Sequence, residues 1–185
     1  IGERNIRSML VGTAVALVLI SLILVFALRS VRYGILSLIP NLAPAGMAFG
    51  LWGVVHGEVG LSLSVVTAMT LGIVVDDTIH FLSKYIRARR EQGLSAEHAV
   101  RYAFHTVGEA LWVTSVALVA GFLVLSTSAF ELNAGMGLLV SIVIALALVV
   151  DFLFLPPLLM RVNGWLHAGE TLPARSAPAN VTSDA

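Results

Sequence analysis

Five long apolar segments dominate this chain of 185 residues, and they constrain its fold more than any other feature. They run roughly from Met9 to Leu28, Ile35 to Val55, Leu61 to Leu82, Ala110 to Leu125 and Met136 to Leu159. A helix rises about 1.5 Å per residue, so some ~20 apolar residues cross a hydrocarbon core ~30 Å thick. Only 12% of the residues are charged, too few to cover a soluble domain of this size. The sequence therefore predicts an all-α membrane protein, a bundle of five transmembrane helices.

The lysine and arginine residues are unevenly distributed between the two ends of these segments. Such residues accumulate on the cytoplasmic side of membrane proteins. If the chain begins outside, nine of the 11 fall on the inner side: Arg29, Arg32, Lys84, Arg87, Arg89, Arg90, Arg101, Arg161 and Arg175. Only Arg4 and Arg7 then lie outside. The pattern predicts a multi-pass protein with a cytoplasmic C-terminus.

Three regions follow from this topology. Residues 1–8 are expected to end an outer region, residues 9–161 to form the transmembrane domain, and residues 162–185, rich in Pro, Ala and Ser, to form a disordered cytoplasmic tail. Between the third and fourth spans, Ser95 is a helix N-cap candidate ahead of apolar residues at helical spacing. This stretch predicts a short cytoplasmic amphipathic helix, either lying on the membrane surface or docked on its neighbours. The start at Ile1, without a signal-peptide pattern, indicates a piece of a longer protein.

The third span carries two adjacent acids, Asp76 and Asp77, in the middle of its apolar run. Asp76 lies eight residues before Lys84, about 12 Å deeper along a helix. One Asp at a helix centre costs ~2.5–3.5 kcal/mol on insertion scales, so the pair costs roughly 5–7 kcal/mol if the costs add. Burial penalises the charged form of a carboxyl group, which suits reversible protonation. We therefore expect the pair to face the interior of the bundle as a proton relay.

Other polar residues in the spans are candidates for supporting roles. His80 shares a helix face with the acids, and either accepts a proton or only satisfies a carboxylate. Thr114 and Ser115, in the fourth span, either bond to a carboxylate across the bundle or to their own helix. Asp151, the other acid inside a span, is either a second relay group or a solvated or ion-paired residue near the inner edge.

Small residues recur along the spans and favour close helix packing, because helix backbones can approach each other where side chains are short. Gly72 lies one turn before Asp76 and is expected to open space beside that carboxylate within the packed bundle. The other glycines of this kind are Gly12, Gly46, Gly50, Gly53, Gly121, Gly135 and Gly137.

Several kinds of chemistry are not expected. The chain has no cysteine and hence no disulfide or thiolate metal site. It has no His-Glu-x-x-His motif, and we expect neither a metal nor a cofactor. It lacks a basic patch interleaved with aromatics, so nucleic acid is not an expected partner. An intramembrane aspartyl protease using Asp76 and Asp151 would need Gly-x-Gly-Asp, but Val74 and Val75 precede Asp76. The sequence therefore does not predict an enzyme.

The pattern Gly72-x-x-x-Asp76-Asp77 resembles the proton-relay helix of the resistance–nodulation–division (RND) superfamily, to which Patched-like proteins and sterol-sensing domains are related. The longer run from Gly72 to Tyr85 is most similar to the bacterial MMPL branch, proposed exporters of lipids and other hydrophobic molecules. Matching features lie in the same order along the chain: Pro40-Asn41, Thr114-Ser115, Gly121-Phe122, Asp151 and Leu155-Pro156. The resemblance covers about Arg7 to Arg161.

The resemblance implies a proton-driven exporter of the bacterial inner membrane in which Asp76 and Asp77 bind and release protons. Such transporters have two similar halves, each with one helix, a large outer domain and five further helices. This chain matches the last five helices of a half, and its tail indicates the second half. The implied partners are the bilayer, protons, a hydrophobic or lipid substrate, and the missing N-terminal half or another subunit. The alternatives are a lipid- or sterol-sensing module and a SecD/SecF-like protein-translocation accessory.

Overall fold

The computed structural model describes residues 2–56 and 61–167, and the regular elements within these ranges are helices. The chain is an all-α membrane protein, as its composition predicts. Two π-helical turns, Phe104–Gly108 and Val150–Phe154, each join two helices without a break. The helices are α1 (Gly2–Leu28), α2 (Val31–His56), α3 (Leu61–Arg90), α4 (Ala96–Ala103), α5 (Glu109–Leu125), α6 (Glu131–Val149) and α7 (Leu155–His167).

Three helical stretches of the described chain are long and apolar enough to cross a membrane: Val31–Val54, Ala96–Leu125 and Glu131–Val162. They confirm three of the five predicted spans. α1 contributes a shorter apolar stretch, Ala14–Leu28. α3 has 30 residues and is long enough to span, but several side chains of its apolar first part lie outside the described residues. That α1 and α3 span the membrane stays a prediction.

Two helix ends differ from the predicted region boundaries. α1 begins at Gly2, so the helix includes most of the predicted outer region, and α7 continues to His167, past the predicted start of the tail. The rest of that tail lies outside the described residues. α2 runs unbroken through Pro40 and Pro44. Proline is tolerated in membrane helices because neighbouring groups satisfy the freed backbone carbonyls.

α6 contacts α2, α3 and α5. α3 packs against α1, α2 and α4 as well as α6. α5 packs chiefly on α6, so a cleft remains between α5 and the middle of α3. The buried apolar side chains form two separate clusters, one around Phe81 and Leu155 and the other around Val74 and Val143.

α4 is the short amphipathic helix that the sequence predicts, and the structure distinguishes the two interpretations of it. The Ser95 side chain accepts a hydrogen bond from the His98 backbone N–H at 3.4 Å, as expected of an N-cap. Ala99, Val100 and Ala103 are buried, and the helix contacts α3 and α7. Because its apolar face is covered by protein, α4 is a connector docked on its neighbours.

Close packing at glycine is confined to few positions in the described chain. A Cβ built at Gly137 would lie 2.6 Å from the Phe122 carbonyl oxygen and 2.7 Å from the Ser126 backbone nitrogen, so α6 and the end of α5 meet there without space for a side chain. The other predicted packing glycines have no such neighbour within 4 Å: Gly12, Gly46, Gly50, Gly53, Gly72, Gly121 and Gly135. For the six of these other than Gly72, the prediction of close helix contact is wrong within the described residues, because they lie on outward or open faces.

Candidate functional site

The acid pair lies midway along α3, with Asp76 about 20 Å from either end of the helix. Both acids line a cleft of about 840 Å³ between α3 and α5. Most of its other lining residues are apolar or small, including Ile73, Leu111 and Leu118. The two carboxylates therefore lie in a mainly apolar cleft at the centre of a helix long enough to cross a bilayer.

Asp76 is the more open of the two acids, with 71% of its side chain exposed. His80 lies one turn further along, with its Nε2 atom 3.6 Å from Asp76 Oδ1 and 60% of its side chain exposed. The two groups share a helix face, as the spacing predicts. The distance exceeds that of a hydrogen bond, so the contact is an ion pair only when His80 is protonated.

Asp77 is half-buried and is held from the opposite wall of the cleft. The Ser115 hydroxyl on α5 donates a hydrogen bond to Asp77 Oδ2 at 3.2 Å, and Ser115 is itself buried. Thr114 also lines the cleft, but its hydroxyl donates to its own helix, 2.9 Å from the Ala110 carbonyl oxygen. Of the two predicted cross-bundle partners, the structure places Ser115 on a carboxylate and leaves Thr114 bonded to its backbone.

Gly72 lines the same cleft one turn before Asp76. A Cβ at this position would meet no atom within 4 Å. The glycine therefore leaves open space beside Asp76, as the sequence suggested, but it makes no close helix contact in the described chain.

Asp151 lies away from the cleft, in the interior of the bundle. The second π turn carries it, and only 4% of the residue is exposed. The Thr78 hydroxyl lies 3.3 Å from Asp151 Oδ1 and 2.6 Å from Asn41 Oδ1 on α2. The expectation of a solvated or ion-paired Asp151 is therefore not met. Its hydrogen-bonding contact in the structure is with the neutral Thr78 hydroxyl.

The sequence analysis assigns no role to Thr78 or Asn41. The Thr78 hydroxyl lies 3.2 Å from the Val74 carbonyl oxygen of its own helix, but it also reaches Asn41 on α2 and Asp151 in the second π turn. The available signal was an amide side chain inside an otherwise apolar span, which needs a partner wherever it is buried.

The arrangement gives two adjacent carboxylates different surroundings. Asp76 faces open space beside a histidine, while Asp77 is fixed by a hydroxyl across the cleft. Among the described residues, no group of three His, Asp or Glu side chains has the geometry to hold a metal ion. Exchange of protons is the chemistry that these groups can perform without a further ligand.

Comparison with known families gives a match over almost the whole chain. The model of the MMPL family matches residues 3–177. The chain belongs to the MMPL family. This result confirms the resemblance carried by the run from Gly72 to Tyr85 and makes the chain part of a membrane transporter family.

Two curated relatives show how this MMPL chain compares with longer proteins. It is 27% identical to a protein of Methanocaldococcus jannaschii named as a membrane protein, over 80% of the chain and 38% of that relative. It is 25% identical to a protein of Mycobacterium tuberculosis named as transport protein MmpL12, over 95% of the chain and 15% of that relative. The MMPL chain thus spans well under two thirds of either relative. No solved structure matches it at a significant level.

Proposed function

We propose that this MMPL chain is the transmembrane part of a proton-motive-force-driven exporter of lipids or other hydrophobic compounds, with Asp76 and Asp77 as its intramembrane proton relay. One observation carries the proposal: two adjacent carboxylates lie midway along α3 and line a cleft in an apolar bundle. A permanent negative charge on a carboxylate within an apolar bundle costs free energy. Binding of a proton removes that cost, so protonation shifts the equilibrium between the conformations of the protein.

The two acids have different parts in this proposal. Asp76, open to the cleft, exchanges protons with water, and His80 is the group placed to accept or return one. Asp77, held by Ser115 on α5, links the protonation state of α3 to the position of α5. Thr114 lines the path without contacting either acid, and Gly72 keeps the cleft open beside Asp76.

The setting of the proposal is the bacterial inner membrane, with the C-terminus of the chain in the cytoplasm. Its partners are the bilayer, protons, a hydrophobic or lipid substrate, and the other half of the transporter or another subunit. The relative named as transport protein MmpL12 and the apolar cleft lining support a transported hydrophobic molecule. The proposal includes no catalysed reaction and no cofactor.

The experiment that tests the proposal measures export of a fluorescent phospholipid probe from cells that express the complete gene product. In the wild type, export stops when an uncoupler abolishes the proton gradient. In the Asp76→Asn variant, export falls to the level of cells without the protein, because an amide cannot exchange a proton. Glu97→Gln, which neutralises an exposed acid on α4, is the matched control and keeps wild-type export.

A second readout separates the transporter from the sensing alternative. Binding of the same probe to the purified variant is measured beside its export. Loss of export in Asp76→Asn with binding retained agrees with a pump. Unchanged export in Asp76→Asn, or export that persists without a proton gradient, contradicts the proposal.

A further inference from the structure

Three polar side chains from three different helices meet in the interior of the bundle, on a part of α3 that does not line the cleft. Asn41 of α2, Thr78 of α3 and Asp151 of the second π turn are 1%, 0% and 4% exposed. We call them the polar layer, because Asn41 and Asp151 each lie along the chain between buried residues of the two apolar clusters. Along α3, Val74 of one cluster precedes Thr78 and Phe81 of the other follows it.

With the Asn41 amide oxygen turned toward Thr78, as in the structure, the hydrogen bonds of the polar layer do not balance if Asp151 is ionised. The Thr78 hydroxyl has three acceptors within reach: Asn41 Oδ1 at 2.6 Å, the Val74 carbonyl oxygen at 3.2 Å and Asp151 Oδ1 at 3.3 Å. A hydroxyl has one proton to donate. If it donates to the nearest acceptor, Asn41, its contact with Asp151 is a hydrogen bond only when the carboxyl group supplies the proton.

The charges around Asp151 also favour its neutral form. Among the described residues, the groups that act on its charge are the neutral Thr78 hydroxyl and the like-charged Asp77 on α3. α2 presents the neutral Asn41, and the first π turn presents Phe104, which stacks edge-on against Phe152 beside Asp151. A carboxylate buried without a counter-ion carries a large desolvation cost, so the neutral acid is the stable form.

We propose that Asp151 is a second proton-binding carboxyl group and that its proton decides which neighbouring helix Thr78 is bonded to. In the neutral form, the Asp151 O–H donates to Thr78 Oγ1, and Thr78 donates to Asn41 Oδ1, so α6, α3 and α2 are linked. In the ionised form, the Asp151 O–H bond has broken and its proton has passed to water. The Thr78 hydroxyl then donates to the carboxylate, and its bond to Asn41 is lost.

Two further features fit this role. The Asn41 amide contacts Thr78 through Oδ1 and has no hydrogen-bond partner at Nδ2 among the described residues, so its side-chain hydrogen bonding depends on Thr78. Asp151 lies in a π turn, a distortion that is frequently found at functional sites. The proposal adds a proton site to the exporter but does not rest on proton-driven export, since protonation of Asp151 is measurable in protein that transports nothing.

Infrared difference spectroscopy of the purified complete gene product tests the proposal at neutral pH. The test is made in protein that carries Asp76→Asn and Asp77→Asn, so that the relay pair contributes no carboxyl band. We expect a C=O band of a protonated carboxyl group that is absent when Asp151→Asn is added and shifted in frequency when Thr78→Val, which loses the hydroxyl, is added. Ser141→Ala is the matched control, because its buried hydroxyl on α6 donates to its own Leu138 carbonyl oxygen, and it leaves the band unchanged. If Asp151→Asn does not fold, the shift in Thr78→Val decides the result alone.

A double-mutant cycle with Thr78→Val and Asn41→Leu tests the switch itself. The coupling between the two positions is expected to be present at the pH where the band is seen and to vanish at a higher pH where the band is gone. A band that survives in Asp151→Asn, a band unaffected by Thr78→Val, or a coupling that is equal at both pH values overturns the proposal.

Discussion

The Asp77→Asn variant is expected to lose proton-coupled accumulation of a hydrophobic substrate while keeping its fold. Asparagine has nearly the same shape as aspartate, and its side-chain oxygen can still accept the hydrogen bond from Ser115. The amide cannot bind and release a proton, so the step that couples proton entry to movement of α3 and α5 is lost. The measurement is uptake of a fluorescent phospholipid probe into inverted membrane vesicles.

The size of the effect follows from the energy of one proton. One charge crossing a potential of about 100 mV is worth ~2.3 kcal/mol, which corresponds to an accumulation ratio of about 50-fold. Wild-type vesicles that couple one proton to each substrate can approach this ratio, and Asp77→Asn vesicles should remain near a ratio of one. Glu91→Gln, which removes an exposed acid just after α3, is the control. Accumulation at the wild-type level in Asp77→Asn would contradict a relay role for this residue.

The Gly137→Ala variant is expected to be less stable than the wild type by about 1–3 kcal/mol, the usual cost of overpacking a well-packed interior. The added methyl group would overlap backbone atoms at the end of α5, which cannot move aside as a flexible side chain can. The free energy of unfolding in detergent solution measures the effect. α5 packs mainly on α6, so loosening this contact also loosens the wall that carries Ser115.

Gly135→Ala provides the matched control, because it makes the same change two residues earlier on α6, where a Cβ meets nothing within 4 Å. Alanine is favoured over glycine in a helix by ~1 kcal/mol, so this variant should be as stable as the wild type or more stable. Equal destabilisation by both substitutions would show that the contact at Gly137 is not the cause.

The fold class was predictable from the sequence because the apolar segments have the length of a membrane span. The placement of Asp76, Asp77 and His80 on neighbouring faces of one helix was predictable too, since it depends only on helical spacing within α3.

Features that depend on how two helices face each other were not predictable. The sequence offered Thr114 and Ser115 as equal partners for a carboxylate, and only the rotation of α5 against α3 decides that Ser115 reaches Asp77. The glycines show the same limit. Eight were expected at helix contacts, and Gly137 meets its neighbour because of the crossing of α5 and α6, which no local pattern specifies.

The polar layer was missed for a related reason. Asn41, Thr78 and Asp151 are separated by 37 and 73 residues along the chain, and each has an ordinary local explanation by itself. Their meeting depends on the packing of α2, α3 and α6 and on the π turn at Asp151, which changes the direction of that side chain relative to a regular helix. A single sequence contains no signal for either feature.

Chemical modification by dicyclohexylcarbodiimide, a hydrophobic reagent that reacts with protonated carboxyl groups inside membranes, tests the central claim most directly. At neutral pH, mass spectrometry should find the label on the α3 peptide at Asp76 or Asp77, and the Asp76→Asn, Asp77→Asn double variant should abolish it. The opposite result would be two acids that this reagent leaves unmodified. Glu91 and Glu97 are exposed acids, which a water-soluble carbodiimide modifies only at acidic pH. If Asp76 and Asp77 reacted in this way and not with the hydrophobic reagent, they would not be a proton relay within the membrane.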